Sequence, residues 1–161
     1  VTKTALRTAI LAELQSELDR QIQAAAMAHE EATSEESQPE NKWDTHSQEA
    51  AYLAEGQSRL VIEIRESIDH YRTLPLSGAA ASAPLAIGAV VALEGARGTS
   101  WYFLGPRSGG LSVRVDGRDI LVVTPQSPLG RQLLGRQLGD QVSLPGKAGG
   151  RPVTLRISAI E

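Results

Sequence analysis

Apolar residues recur near the start of the chain at Leu11, Leu14, Leu18, Ile22 and Ala25, in steps of three and four. That spacing is a one-faced helical stripe close to a coiled-coil seam, with Glu13, Glu17, Arg20 and Gln21 off the stripe. No Gly or Pro interrupts the run from Lys3 to Glu30, and Ala24 to Ala28 is rich in strong helix formers. At ~1.5 Å per residue such a helix is an arm of about 40 Å. A second stripe at Leu53, Gln57, Leu60 (with Val61), Ile64, Ile68 and Tyr71 predicts a helix that zips antiparallel onto the first. Between the two, Pro39 breaks the chain near Ser37 to Asn41, and Asp44, Thr45 and Ser47 are all suited to cap the returning helix.

Beyond Leu74-Pro75 the period changes. Ser77-Gly78-Ala79-Ala80-Ala81-Ser82-Ala83-Pro84 reads as a small-residue linker. Strands are predicted over Ile87–Leu93, Ser100–Leu104, Leu111–Val115, Arg118–Val123, Gln141–Leu144 and Pro152–Ile160. Asp116-Gly117 marks a tight hairpin between two of them. One short helix begins at Ser127 with Pro128 in its first turn and stops near Gly135. The expected fold class is α+β: an antiparallel coiled-coil hairpin over 1–74, a linker over 75–84, and a mostly antiparallel sheet with one helix over 85–161.

Composition narrows the classes. The chain has no cysteine, which excludes disulfides, thiolate-bound metals and a thiol nucleophile. No run approaches membrane-spanning length and no secretory pattern opens the chain, so a soluble cytoplasmic protein is expected. The net charge of −3 hides a polarity. Residues 1–72 hold 7 basic and 14 acidic side chains, residues 73–161 hold 9 and 5. Opposite fields on the two halves orient a large docking partner better than a small substrate.

The acid concentrates at the predicted bend. From His29 to Glu55 there are eight carboxylates (Glu30, Glu31, Glu35, Glu36, Glu40, Asp44, Glu49 and Glu55) against the single Lys42. Such a stretch is either a charged tip at the end of an arm or a solvated loop kept soluble by its charge. Trp43 stands among these acids, able to stack on a base, wedge against a partner helix, or pack on its own loop.

The segment from Ser127 to Val142, Ser-Pro-Leu-Gly-Arg-Gln-Leu-Leu-Gly-Arg-Gln-Leu-Gly-Asp-Gln-Val, resembles the C-terminal signature of the bacterial Gre-type (GreA/GreB) transcript cleavage factors. Ile87 to Val91 and Val122 to Pro125 are similar to the strands that precede it in that family, and the order of hairpin, linker and sheet domain is also the family's. The resemblance implies an FKBP-like sheet domain that grips the rim of RNA polymerase's secondary channel, with Arg131 and Arg136 as contacts. Pro128, Gly135 and Gly139-Asp140 read as structural, with Leu133, Leu134 and Leu138 sealing the short helix onto the sheet. It also implies an accessory factor rather than an enzyme, one with no cofactor of its own. The hairpin would enter the channel, and two tip carboxylates would help hold a second Mg2+ at the polymerase's active site, where one or two protein carboxylates with water suffice.

The bend departs from the family pattern, Asp-x-x-Glu-Asn-Ala-Glu-Tyr. The comparable stretch, Asp44 to Tyr52, is one residue longer. Aligning the Asp puts the next acid on Ser47. Aligning the Tyr puts the Asp on Thr45 and the first Glu on Gln48. Glu40 and Asp44 are the best remaining metal-supporting pair, with Glu35, Glu36 and Trp43 as further tip contacts. Two readings follow within the family: a cleavage factor with a rearranged tip, or a channel-binding regulator or inhibitor that does not cleave. Outside it stand a coiled-coil adaptor and an FKBP-type prolyl isomerase. The isomerase needs an aromatic-lined pocket, and the side chains of Trp101, Tyr102 and Phe103 alternate across a strand. An acidic arm repels phosphate chains, so independent nucleic-acid binding is not expected. His29, His46 and His70 lack metal-ligand spacing.

Overall fold

The structure, a computed structural model, describes residues 1–33, 46–75, 83–144 and 152–161, and for 31–33, 46–51 and 54 the backbone alone. The elements run α1 (Lys3–Thr33), α2 (His46–Thr73), β1 (Val90–Gly95), β2 (Gly98–Leu104), β3 (Ser112–Val115), β4 (Arg118–Val123), α3 (Pro128–Leu133), β5 (Gln141–Leu144) and β6 (Val153–Ile160). They form two compact units, Leu11–Asp69, and Val1–Ile10 together with His70–Glu161. The fold class is the expected one, a helical hairpin and an α+β sheet with one short helix.

Within the helical unit the seam is a 3.5-residue repeat. On α1, Leu14 and Leu18 are buried, Gln21 and Ala25 half-buried, and Ala28 buried again. On α2 the matching positions are Gln57, Val61, Ile64 and Ile68, with Val61 and Ile68 buried. The predicted stripes are therefore corrected at three positions. Ile22 is exposed because two consecutive steps of four carry it about 80° past Leu14 around the helix. Val61 takes the place of Leu60 for the same reason, and Leu53 is also exposed.

The second unit is built on a six-stranded sheet in the order β3-β4-β2-β1-β6-β5. Four of its pairings are antiparallel, as expected, but β2 and β4 are parallel, with Tyr102 opposite Leu121. The chain leaving β2 passes over one strand position before β3, and the Asp116-Gly117 turn then returns β4 into the gap beside β2. Both turn residues have positive φ, 51° and 75°, the geometry a two-residue hairpin requires. β1 begins at Val90 rather than Ile87, because Ile87-Gly88 is a turn with Gly88 at φ 95°.

Alternation along the strands gives the sheet two apolar faces. On one, Val91, Leu93, Leu104 and Ile157 pack with Leu129 and Leu133 of α3. The other carries Val90, Phe103, Ile120 and Val122, all buried. Tyr71, from the last turn of α2, meets Phe103 there with ring centroids 6.4 Å apart, and Leu6 and Ile10 are buried in the same unit. At the β5 edge the Gln132 amide stands in for a missing strand. Its Nε2 donates to the Ser143 carbonyl at 2.7 Å, and its Oε1 accepts from the Ser143 N–H at 2.8 Å. Satisfying that edge removes a template for unwanted strand pairing.

Candidate partner-binding surfaces

The signature segment is assembled by local hydrogen bonds. Ser127 caps α3: its hydroxyl accepts from the Gly130 N–H at 3.0 Å and donates to the Thr124 carbonyl at 2.8 Å. Pro128 fills the first helical turn, where its missing N–H has no helical partner to lose. Gly130 is pressed against Thr124, whose carbonyl oxygen occupies the place a Cβ would need. Gly135 turns the chain out of the helix at φ 76°. Its N–H then donates to Leu85 at 2.8 Å while Leu85 donates back to Arg136 at 2.7 Å, so the start of the sheet domain is clamped to the helix exit. Asp140 accepts from the Gln137 N–H at 3.0 Å and sets the turn into β5.

Of the three leucines expected to seal this helix, only Leu133 does so, being fully buried. Leu134 and Leu138 are exposed. Leu134 is the cap residue, with ψ 127°, which swings its side chain off the helical face, and Leu138 sits between the two glycine turns.

Arg131 and Arg136 are both exposed, as a contact role requires. They are not equivalent. The Arg136 Nε donates to the Gln132 carbonyl at 3.3 Å and so caps the end of α3, whereas Arg131 is tied to the helix by its backbone N–H, which donates to Ser127 at 3.0 Å. The tip residues Glu35, Glu36, Glu40, Trp43 and Asp44 lie outside the described residues.

A surface that sequence reasoning missed lies beside the start of α3, over β4 and β2. A groove of about 650 Å³ is lined by Tyr102, Leu121, Ser127, Pro128, Leu129 and Leu144 among others. A more polar hollow of about 630 Å³, with Ser100, Ser112 and Asp119 in its walls, shares Tyr102 and Leu121 with it. The strand order was the missing signal, since only the parallel β2–β4 pairing puts Tyr102 and Leu121 side by side. Asp119 faces Arg114 at 3.8 Å. The groove takes Tyr102 alone from the aromatic triplet: Phe103 is on the opposite face with Tyr71, and Trp101 lies under the Arg118 guanidinium at 4.1 Å. The polar hollow takes Trp101 as well as Tyr102, and Phe103 lines neither of the two. Among the described residues there is no cluster of three metal-ligating side chains, and no helix is long and apolar enough to cross a membrane.

No family model matches the chain, and no curated protein matches it. Among solved structures, it is similar to a prokaryotic transcription elongation factor GreA/GreB from Nitrosomonas europaea, at 18% identity and a TM-score of 0.38 over 70% of this chain and 91% of that one. It is likewise similar to GreA factor homolog 1 of Thermus thermophilus, at 19% identity and a TM-score of 0.38 over 94% of each chain. The Thermus aquaticus protein of that name shows 20% identity and a TM-score of 0.38 over 92% of each.

Proposed function

We propose that the chain is an RNA polymerase secondary-channel-binding transcription elongation factor that stimulates the polymerase's own cleavage of backtracked transcripts. The observation that carries this reading is a hairpin of helices 31 and 28 residues long, whose connecting stretch holds Glu35, Glu36, Glu40 and Asp44. Helices of that length span roughly 40–45 Å, enough to carry carboxylates down a pore that a globular domain cannot enter. The signature around α3 supports it, since each of Ser127, Pro128, Gly130, Gly135 and Asp140 has a definite structural task that leaves Arg131 free to face outward.

In this reading the factor has no complete active site. Asp44 and Glu40 would lend hard oxygen ligands to a second magnesium ion in the polymerase, which supplies the charge to activate water and steady the leaving RNA oxygen. The chain's own contribution is positioning. The hairpin delivers the acids, and the sheet domain, through Arg131 and Arg136, holds the rim.

A second reading is favoured by the bend's spacing. Ser47 stands three residues after Asp44, where a second acid would complete the family's pair. A factor built this way would occupy the channel and modulate or inhibit the polymerase without cleavage. Adding the wild-type protein, Asp44→Ala and Glu40→Ala to a stalled, backtracked polymerase complex separates the two. Shortened transcripts with wild type, reduced with either variant, support the cleavage factor. Polymerase captured with cleavage unchanged supports the second reading, and no capture of polymerase leaves a coiled-coil adaptor.

A further inference from the structure

Two tight turns of the same build follow α3. The first, Leu133 to Arg136, is closed by the Arg136 N–H, which donates to the Leu133 carbonyl at 3.0 Å. Leu134 has φ −54° and ψ 127° and Gly135 has φ 76°, the angles of a type II turn with leucine second and glycine third. Gln137 to Asp140 repeats the pattern. The Asp140 N–H donates to the Gln137 carbonyl at 3.1 Å, and Gly139 stands third at φ 91°. The Asp140 carboxylate adds a second tie by accepting from the Gln137 N–H at 3.0 Å. Both turns are also pinned to the rest of the sheet unit, the Gly135 N–H donating to Leu85 at 2.8 Å and the Gly139 N–H to Ile157 at 2.9 Å.

The second position of a type II turn requires no apolar side chain, and proline or a polar residue serves there. Both turns nevertheless hold leucine, and both leucines are exposed, Leu134 at 39% and Leu138 at 50%. Leu133 already seals the helix, so folding gives no reason for the pair. Four residues of chain keep the two within about 14 Å of one another. Arg136 stands between them and Arg131 three residues before Leu134, and both arginines are exposed. Residues 120–139 contain no Asp or Glu, and Asp140 is engaged within its own turn. Apolar side chains beside arginine match the composition of an interface core, and a backbone already fixed lowers the ordering cost of docking. The positive local charge selects an acidic partner. No aromatic residue follows Phe103 in the chain, so the turns offer no platform on which nucleic-acid bases could stack.

We propose that Leu134 and Leu138 are paired apolar anchors of a docking surface, and that its occupant is a protein segment of RNA polymerase with an apolar face edged by carboxylates. This rests on the channel-binding reading above and adds to it which side chains hold the partner. Arg131 and Arg136 orient the approach through charge, which salt screens. The leucines act at contact, by burial, which salt does not screen.

Binding of the full chain to RNA polymerase, measured at ~0.1 and ~0.5 M salt, tests it. Leu134→Ser and Leu138→Ser each weaken binding about fivefold at both salt concentrations, the loss expected when a half-exposed leucine no longer becomes buried. The double serine variant weakens it further, and Leu134→Met/Leu138→Met, which keeps the apolar area, binds like wild type. Melting temperatures stay at the wild-type value because both side chains are exposed. Serine variants that bind as tightly as wild type overturn the proposal and leave the channel-binding reading standing. Wild type that does not bind polymerase overturns both. A lowered melting temperature in the serine variants assigns the leucines to the fold, and binding to phosphatidylglycerol vesicles that the same substitutions abolish assigns them to a membrane surface; either result also overturns the proposal.

Discussion

The Tyr71 hydroxyl donates a 2.6 Å hydrogen bond to the backbone carbonyl of Arg107, at the far end of the segment Leu104 to Arg107 that leaves β2. The same oxygen crowds Gly105, where a Cβ would overlap it and press on a Val122 methyl. The end of α2 is thus held against the sheet by a donor, a ring contact with Phe103 and a glycine that makes room for both. Tyr71→Phe removes the bond, at a cost of about 1 kcal/mol. Gly105→Ala forces the phenol aside and costs about 1–3 kcal/mol. In the double variant the clash is partly relieved, so urea unfolding should show the two effects adding to less than their sum. Strict additivity would mean that the contact does not couple them.

Burial also pushes the Tyr71 phenol well above its ordinary range of about 10. A phenol that stays protonated when folded but ionises when unfolded makes the native state bind more protons at high pH. Stability from this group is therefore fully present below about pH 10 and falls as pH rises beyond it, by at most about 1.4 kcal/mol per pH unit. Unfolding free energies measured from pH 8 to 11.5 should decline more steeply for wild type than for Tyr71→Phe, the two curves converging at the alkaline end. Parallel curves would show that the hydroxyl is solvated.

The cap of α3 yields the sharpest contrast in the signature. Gly130→Ala would drive a methyl group into the Thr124 carbonyl, which belongs to the chain entering the helix and cannot retreat as a side chain could. We expect a loss of more than about 3 kcal/mol or failure to fold. Ser127→Ala, which removes the cap and leaves the Gly130 N–H without its acceptor, costs about 1 kcal/mol. Thermal melts rank the two directly, and a Gly130→Ala protein as stable as Ser127→Ala would contradict the packing described here.

Legibility in the sequence followed how local each signal was. Asp116-Gly117 announced its hairpin, and Ser127-Pro128 with Gly135 bounded α3, because these residues act through their own backbone angles. The parallel β2–β4 pair was hidden: alternation says which residues share a face, not which strands are neighbours, so the groove at Tyr102 and Leu121 was hidden with it. Along the hairpin, steps of three and four located the helices, but the inward residue in each turn depended on strict 3.5-residue phase. That phase selects Gln21 over Ile22 and Val61 over Leu60, against hydrophobicity in the first case. The expected tip acids were legible as composition, yet they lie outside the described residues.

The two arginines of the signature should behave differently in a polymerase-binding assay. Arg136 has work within the fold, since its Nε caps the Gln132 carbonyl, and Gln132 in turn completes the β5 edge at Ser143. Its loss therefore disturbs a helix end as well as a charge. Arg131 is exposed, and its backbone, not its guanidinium, holds the helix at Ser127. If the sheet domain grips an acidic rim, Arg131→Glu should weaken capture of RNA polymerase about tenfold or more at ~0.1 M salt, less so at high salt, with an unchanged melting temperature. Arg136→Glu should weaken capture and also lower stability by about 1 kcal/mol. Capture unaffected by Arg131→Glu at low salt would move the gripping surface away from α3, and the Tyr102–Leu121 groove would be the next place to substitute.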